Sequence, residues 1–189
     1  MITSRNPIRG LAAVSLLVWL VLALAGCGGG SKTSSEGTTA APPATTGEVG
    51  SQAPPFALAD LSGQTVSSTA FAGKVVILDF WATWCPPCRA EVPDFVALQE
   101  KYGSQGLEIV GLSLDAGGAK DVAPFVEEYK VNYKMLLHAD EVAKAYGGIT
   151  SIPTTFVIDR QGKIVQRFVG QMSREVFEAS IAPLLAATS

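Results

Sequence analysis

The sequence predicts an α/β domain: a central mixed β-sheet flanked by helices, with an N-terminal β-hairpin and a further helix and strand in its middle. Three observations carry this. The apolar run Val75-Val76-Ile77-Leu78-Asp79-Phe80 is followed by a helical stretch and a second apolar run, Leu107 to Leu114, the pattern of a parallel strand–helix–strand unit with both faces of the sheet covered. Thr154 to Ile158 and Ile164 to Val169 alternate around Asp159-Arg160-Gln161-Gly162, which reads as an antiparallel hairpin. Between these blocks, Ala119 to Lys130 has helical character and Tyr133 to Leu137 reads as a short strand.

Residues 1–26 read as an export signal. Arg5 and Arg9 precede an uncharged run of 15 residues, Leu11 to Ala25, shorter than the roughly 20 that a spanning helix needs. Leu24-Ala25-Gly26-Cys27 resembles a bacterial lipobox, which implies lipidation of Cys27 and a membrane anchor; several acyl chains hold where one does not. Residues 27–50 are rich in Gly, Ser, Thr, Ala and Pro and lack aromatic residues, so they read as a disordered tether with a reach of roughly 25–30 Å. Residues 51–189 form the globular domain, long enough for one core.

Within that domain, Phe56 to Ala59 and Gln64 to Val66 flank the turn signal Asp60-Leu61-Ser62-Gly63 and predict the first hairpin. Lys74 to Phe80 is a buried strand, and Pro86 to about Tyr102 a helix stopped by Gly103. Pro93 kinks that helix by removing the bond to the Arg89 carbonyl. A short helix follows at Glu141 to Tyr146. Ser173 is placed to cap a last helix with Val176, Phe177, Ile181, Leu184 and Leu185 on its apolar side, and Pro183 weakens its final turn.

Chemistry concentrates at Trp84-Cys85-Pro86-Pro87-Cys88, at the junction of the buried strand and its helix. Two thiols two residues apart can close, storing two electrons, and a helix N-terminus favours the thiolate of the first. Cys85 is thus the expected attacking thiol and the more exposed one; Cys88, one turn in, is the resolving thiol. Without Cys27 no other cysteine remains, and a four-ligand zinc site would find only His138 besides this pair, so neither a disulfide framework nor a metal site is expected. Pro86 and Pro87 occupy first-turn positions where N–H groups are unpaired anyway. Asp79 is a carboxylate inside an apolar strand, where burial raises a pKa. Mature charge is modest: without Arg5 and Arg9, 12 basic residues face 17 acidic ones, with no basic run, which argues against nucleic acid as a partner.

These pieces together resemble the thioredoxin superfamily over residues 51–187. The likeness rests on Asp79-Phe80-Trp81-Ala82-Thr83-Trp84-Cys85-Pro86-Pro87-Cys88, on Gly148-Ile149-Thr150-Ser151-Ile152-Pro153-Thr154, which matches the segment around the family's cis-proline, and on Phe168-Val169-Gly170 before the last helix. The lipid anchor, the N-terminal hairpin, the helix and strand inserted between about Ala116 and Asp140, and Glu91 three residues after Cys88 make the chain most similar to TlpA/ResA-like membrane-anchored thiol–disulfide oxidoreductases.

The resemblance implies a thioredoxin fold and a protein-disulfide reductase without a further cofactor. Asp79 would be a proton acceptor for Cys88, although many TlpA/ResA-like proteins carry an amide there; Glu91 is the second candidate. Pro153 would be cis and face the dithiol, leaving the Ile152 backbone free to pair with an extended substrate. Trp84, with Pro86 and Pro87, would contribute to the docking surface, and Trp81 would pack nearby. Lys74 and His138 read as ordinary surface or loop residues.

The implied partners are protein disulfides, such as those of apocytochrome c heme-attachment motifs, and a transmembrane thiol electron donor. The implied location is extracytoplasmic, on the periplasmic face or the outer face of the cytoplasmic membrane, with the outer membrane open as well because Gly28 follows Cys27. The tether and lone dithiol suggest a monomer. The alternatives are a thiol oxidase or isomerase, a copper-binding chaperone and a thiol peroxidase. The copper chaperone is disfavoured by the two-residue cysteine spacing, and the peroxidase by the absence of a peroxidatic signature around Cys85.

Overall fold

The computed structural model describes residues 47–187; the export signal, Cys27 and the tether up to residue 46 lie outside them. Among the described residues no helix is long and apolar enough to cross a membrane. In chain order the elements are β1 (Ala57–Ala59), β2 (Thr65–Ser67), β3 (Val75–Trp81), α1 (Pro86–Tyr102), β4 (Leu107–Ser113), α2 (Ala119–Tyr129), β5 (Lys134–Leu136), α3 (Asp140–Ala145), β6 (Thr154–Ile158), β7 (Ile164–Val169) and α4 (Arg174–Ala186).

Five strands form one mixed sheet in the order β5-β4-β3-β6-β7. β3 pairs parallel with β4, and β4 with β5. β6 runs antiparallel to both β3 and β7. β1 and β2 form the separate predicted hairpin, which reaches the β5 edge through a bridge between Asp60 and Leu136. β3 is central and buried along its whole length, which explains why its sequence is apolar rather than alternating.

The period of two sorts β3 between two cores. Val76, Leu78 and Phe80 face the layer made by Phe56, Phe71, α3 residues Val142 and Ala143, and Tyr146 just after α3. There the Phe80, Tyr146 and Phe156 rings meet at centroid distances of 5.1–6.0 Å in tilted or edge-on pairs, the favoured aromatic geometry. On the other face, Val75 and Ile77 pack with Phe95 and Leu98 of α1 and Phe177 and Ile181 of α4. Trp81, at the end of β3, packs with Cys85, Cys88 and Val92 of the α1 region, Val122 and Phe125 of α2, and Met135. Gly111 makes room for this: a Cβ there would lie 2.9 Å from Trp81 Nε1 and 2.5 Å from Met135 Sδ.

Several local expectations are corrected. Residues 47–50, read as tether, make an ordered turn: Gly47 is buried against the Tyr146 backbone at φ +66°, and Gly50 N–H donates to the Ile164 carbonyl. Gly103 caps α1 as expected, but in right-handed conformation, and leads into a 3-10 turn that ends at Gly106, φ +98°, where only glycine is at ease. Pro93 and Pro183 lie inside α1 and α4, where the sequence places them, each removing one helical N–H donor. Ser173 takes the extended cap conformation, but its hydroxyl makes no capping bond. Val176 is exposed rather than apolar-facing, because the buried stripe of α4 is only as wide as Phe177 and Ile181.

Candidate active site

The site stands where β3 ends and α1 begins. Cys85 is the α1 N-cap, with Pro86 and Pro87 in the first turn, where their missing N–H groups leave nothing unpaired. Cys85 and Cys88 are joined in a disulfide. The Cys88 N–H donates to Cys85 Sγ at 3.3 Å. Both sulfurs sit in the apolar cluster around Trp81 and Phe125, and the two cysteines are 3% and 2% exposed. The expected difference in exposure is therefore absent: both cysteines pack in the same apolar cluster. Trp84, in contrast, is 67% exposed and Pro86 is exposed beside it, whereas Trp81 is buried.

The Ile152–Pro153 peptide bond is cis. The Ile152 carbonyl oxygen lies 3.7 Å from Cys85 Sγ, so this loop and the disulfide face each other. Among the described residues no backbone group bonds the Ile152 N–H or carbonyl. The Pro153 carbonyl accepts from Gly170 N–H at 2.8 Å, which ties the loop to the segment after β7.

Two carboxyl groups are buried in the elements that flank the dithiol, Asp79 in β3 and Glu91 in α1 three residues after Cys88. Asp79 lies opposite Thr155 in the β3–β6 register, and Thr155 Oγ1 donates to Asp79 Oδ1 at 3.0 Å. Burial first, and the Glu91 carboxylate second, push the Asp79 pKa well above the ordinary range. Glu91, on α1, accepts from the Met172 N–H at 2.7 Å through Oε1, while Oε2 is buried without a partner. Burial pushes the Glu91 pKa up to about 7; the Met172 bond opposes this, and Asp94 adds to it. Tyr133 is held protonated by burial and by the nearness of the same two acids. Lys74 pairs with Glu108 on the neighbouring strand. His138 is exposed, with its ring over Gly118.

Three further contacts carry no sequence signature. Asp115 is buried, and its two oxygens accept from Thr83 N–H at 3.1 and 3.2 Å, from Thr83 Oγ1 at 2.6 Å and from Ser113 Oγ at 2.9 Å. This fixes the short connection that delivers Trp84 and Cys85. The Met172 N–H fixes Glu91 from a segment distant in sequence. Arg89, next to Cys88, donates from Nε and Nη2 to Tyr129 Oη at 3.2 and 2.7 Å, which joins α1 to the inserted helix α2. The cluster thus offers a closable dithiol, a facing loop with unpaired backbone groups, and buried acids of raised pKa.

Residues 49–167 match the family model described as the AhpC/TSA family. The chain is similar to the thiol-disulfide oxidoreductase ResA of Bacillus thuringiensis subsp. konkukian, 37% identical over 69% of this chain and 75% of that protein. The ResA of Bacillus subtilis is 38% identical over 67% of this chain and 70% of that one. Among solved structures, a thiol:disulfide interchange protein of the thioredoxin family from Chlorobium tepidum matches with a TM-score of 0.65 at 34% identity, over 71% of this chain and 96% of that one. A secreted thiol-disulfide isomerase from Corynebacterium glutamicum matches with a TM-score of 0.68 at 25% identity, over 72% and 87%.

Proposed function

Because this chain belongs to the AhpC/TSA family and is a ResA-like thiol–disulfide oxidoreductase of thioredoxin fold, we propose that it works as a lipid-anchored reductant of protein disulfides outside the cytoplasm. The observation that carries this is the Cys85–Cys88 pair at the α1 N-terminus, with the carboxyl groups of Asp79 and Glu91 buried in the strand and helix that flank it. The export signal and Cys27 supply the anchor in this reading, and the tether gives the domain its reach.

In the reduced enzyme the Cys85 thiolate, favoured by the helix terminus, attacks one sulfur of the substrate disulfide. That S–S bond breaks, a mixed disulfide forms, and one substrate thiolate leaves and takes a proton. Cys88 then gives its proton to a buried carboxylate and attacks Cys85 Sγ, releasing the second substrate thiol. Two electrons pass to the substrate, and the enzyme ends as the Cys85–Cys88 disulfide. Glu91, with a pKa of about 7, is part-ionised at neutral pH and suits the accepting role. Asp79, whose pKa is raised by burial and by Glu91, is the other buried carboxyl proposed on this proton path.

The exposed Trp84, with Pro86, Pro87 and the Ile152–Pro153 loop, forms the docking surface, and an extended substrate segment pairs with the Ile152 backbone. A transmembrane thiol carrier returns the enzyme to its dithiol form. Apocytochrome c with its heme-attachment cysteines oxidised is the proposed substrate class. The test is trapping. The Cys88→Ser chain should accumulate a mixed disulfide with substrate through Cys85, read by mass spectrometry, and Cys85→Ser should trap nothing. Adducts on Cys88 alone would overturn the assignment.

A further inference from the structure

Arg89 is fixed at the site without an acid. Its N–H donates to the Cys85 carbonyl at 3.1 Å, so the two residues stand one helical turn apart, on the same side of α1. The guanidinium carbon lies 5.5 Å from the Tyr129 ring centroid and 5.8 Å from that of Phe125, and these two rings stack at 4.2 Å and 12°. Among the described residues the ion pairs are Lys74–Glu108, Lys101–Glu178 and Lys144–Glu141; Arg89 enters none, although Glu127 and Glu128 directly precede Tyr129 on α2. Ring faces and a hydroxyl orient this cation but do not neutralise it.

We propose that Arg89 is a specificity residue that selects disulfides carrying a carboxylate next to the target cystine. The Nε and Nη2 donors are partly engaged by Tyr129, while both Nη1 hydrogens and one Nη2 hydrogen stay free on the outer edge. That edge matches a carboxylate in a paired geometry. Because the aromatic pair already holds the side chain, little rotamer freedom is left to lose on binding. The exposed Trp84, the residue before Cys85, offers a substrate an apolar contact at the same helix end. The whole chain has a net charge of −3, so long-range attraction does not favour anions, and a preference for them would be local to this residue.

The inference rests on the disulfide-reductase reading and narrows its substrates. Pre-reduced full-length chain in mild detergent is mixed with dithiodipropionate (anionic), bis(hydroxyethyl) disulfide (neutral) and cystamine (cationic), and second-order rates of enzyme oxidation are followed. The quantity read is the anionic-to-neutral rate ratio, compared between wild type and variant so that leaving-group differences cancel. Arg89→Gln should lower this ratio roughly two- to fivefold at low salt and raise the cationic-to-neutral ratio, with the difference shrinking in high salt. Tyr129→Phe, which keeps the charge but frees the fork, should lower it by less. An unchanged ratio in Arg89→Gln overturns the proposal, including the case where all three rates fall together, since Arg89 would then act on the Cys85 thiolate. Failure of the wild type to reduce any of the three would instead refute the reductase reading.

Discussion

Replacing Glu91 by glutamine removes a buried charge while keeping the side chain's shape and an oxygen for the Met172 N–H. A carboxyl whose pKa rises from 4.5 to about 7 on folding binds more protons in the native than in the unfolded state across that window. Stability therefore falls as pH rises from about 4.5 to about 7, and the ionised form is disfavoured by about 3 kcal/mol above it. The Met172 bond, which opposes the shift, is already contained in that figure. Glu91→Gln should thus be more stable than wild type by up to about 3 kcal/mol at pH 8. The difference should vanish or reverse near pH 4, where Glu91 is protonated. Urea unfolding of the disulfide form at pH 4, 6 and 8 measures this. A wild-type-to-variant difference independent of pH would refute the reasoning. The same variant should lose the rise in mixed-disulfide resolution around pH 7 if Glu91 accepts the Cys88 proton.

Asp79→Asn should slow resolution of the mixed disulfide and shift the Cys88 pKa, read from pH-dependent alkylation of the reduced chain; an unchanged profile would remove Asp79 from the proton path. Asp115→Ala leaves the Thr83 N–H and hydroxyl and the Ser113 hydroxyl without their acceptor, so the domain should lose about 2–4 kcal/mol of stability in urea. Gly111→Ala puts a methyl against Met135 and the Trp81 indole; the flexible methionine yields but the indole does not, for a loss of about 1–3 kcal/mol and an altered near-UV dichroism of tryptophan.

The strands and helices were legible wherever one periodicity dominated. The buried run of β3, the Cys85-to-Tyr102 helix and the Asp159–Gly162 turn are all local patterns. Misreadings fell where neighbours in sequence compete. Gly103 ends α1 as read, but the 3-10 turn that carries the chain on to Gly106 went unread beside it. Val176 and Phe177 are both apolar, yet the narrow face of α4 buries one. At the site, the dithiol and the two acids announce themselves by residue type and spacing. Their supports do not: Asp115 holds Thr83 across 32 residues, Tyr129 holds Arg89 across 40, and Met172 holds Glu91 across 81. A main-chain N–H such as that of Met172 leaves no trace in the identity of its residue, so no reading of residue types could have found it.

The equilibrium reduction potential of the Cys85–Cys88 pair in the full chain, measured against glutathione buffers, tests the central claim most directly. A dedicated reductant should lie near or below about −230 mV, in the range of thioredoxin and the glutaredoxins. A value of about −120 to −180 mV would place the pair with oxidases and isomerases and contradict the direction of electron flow proposed for it.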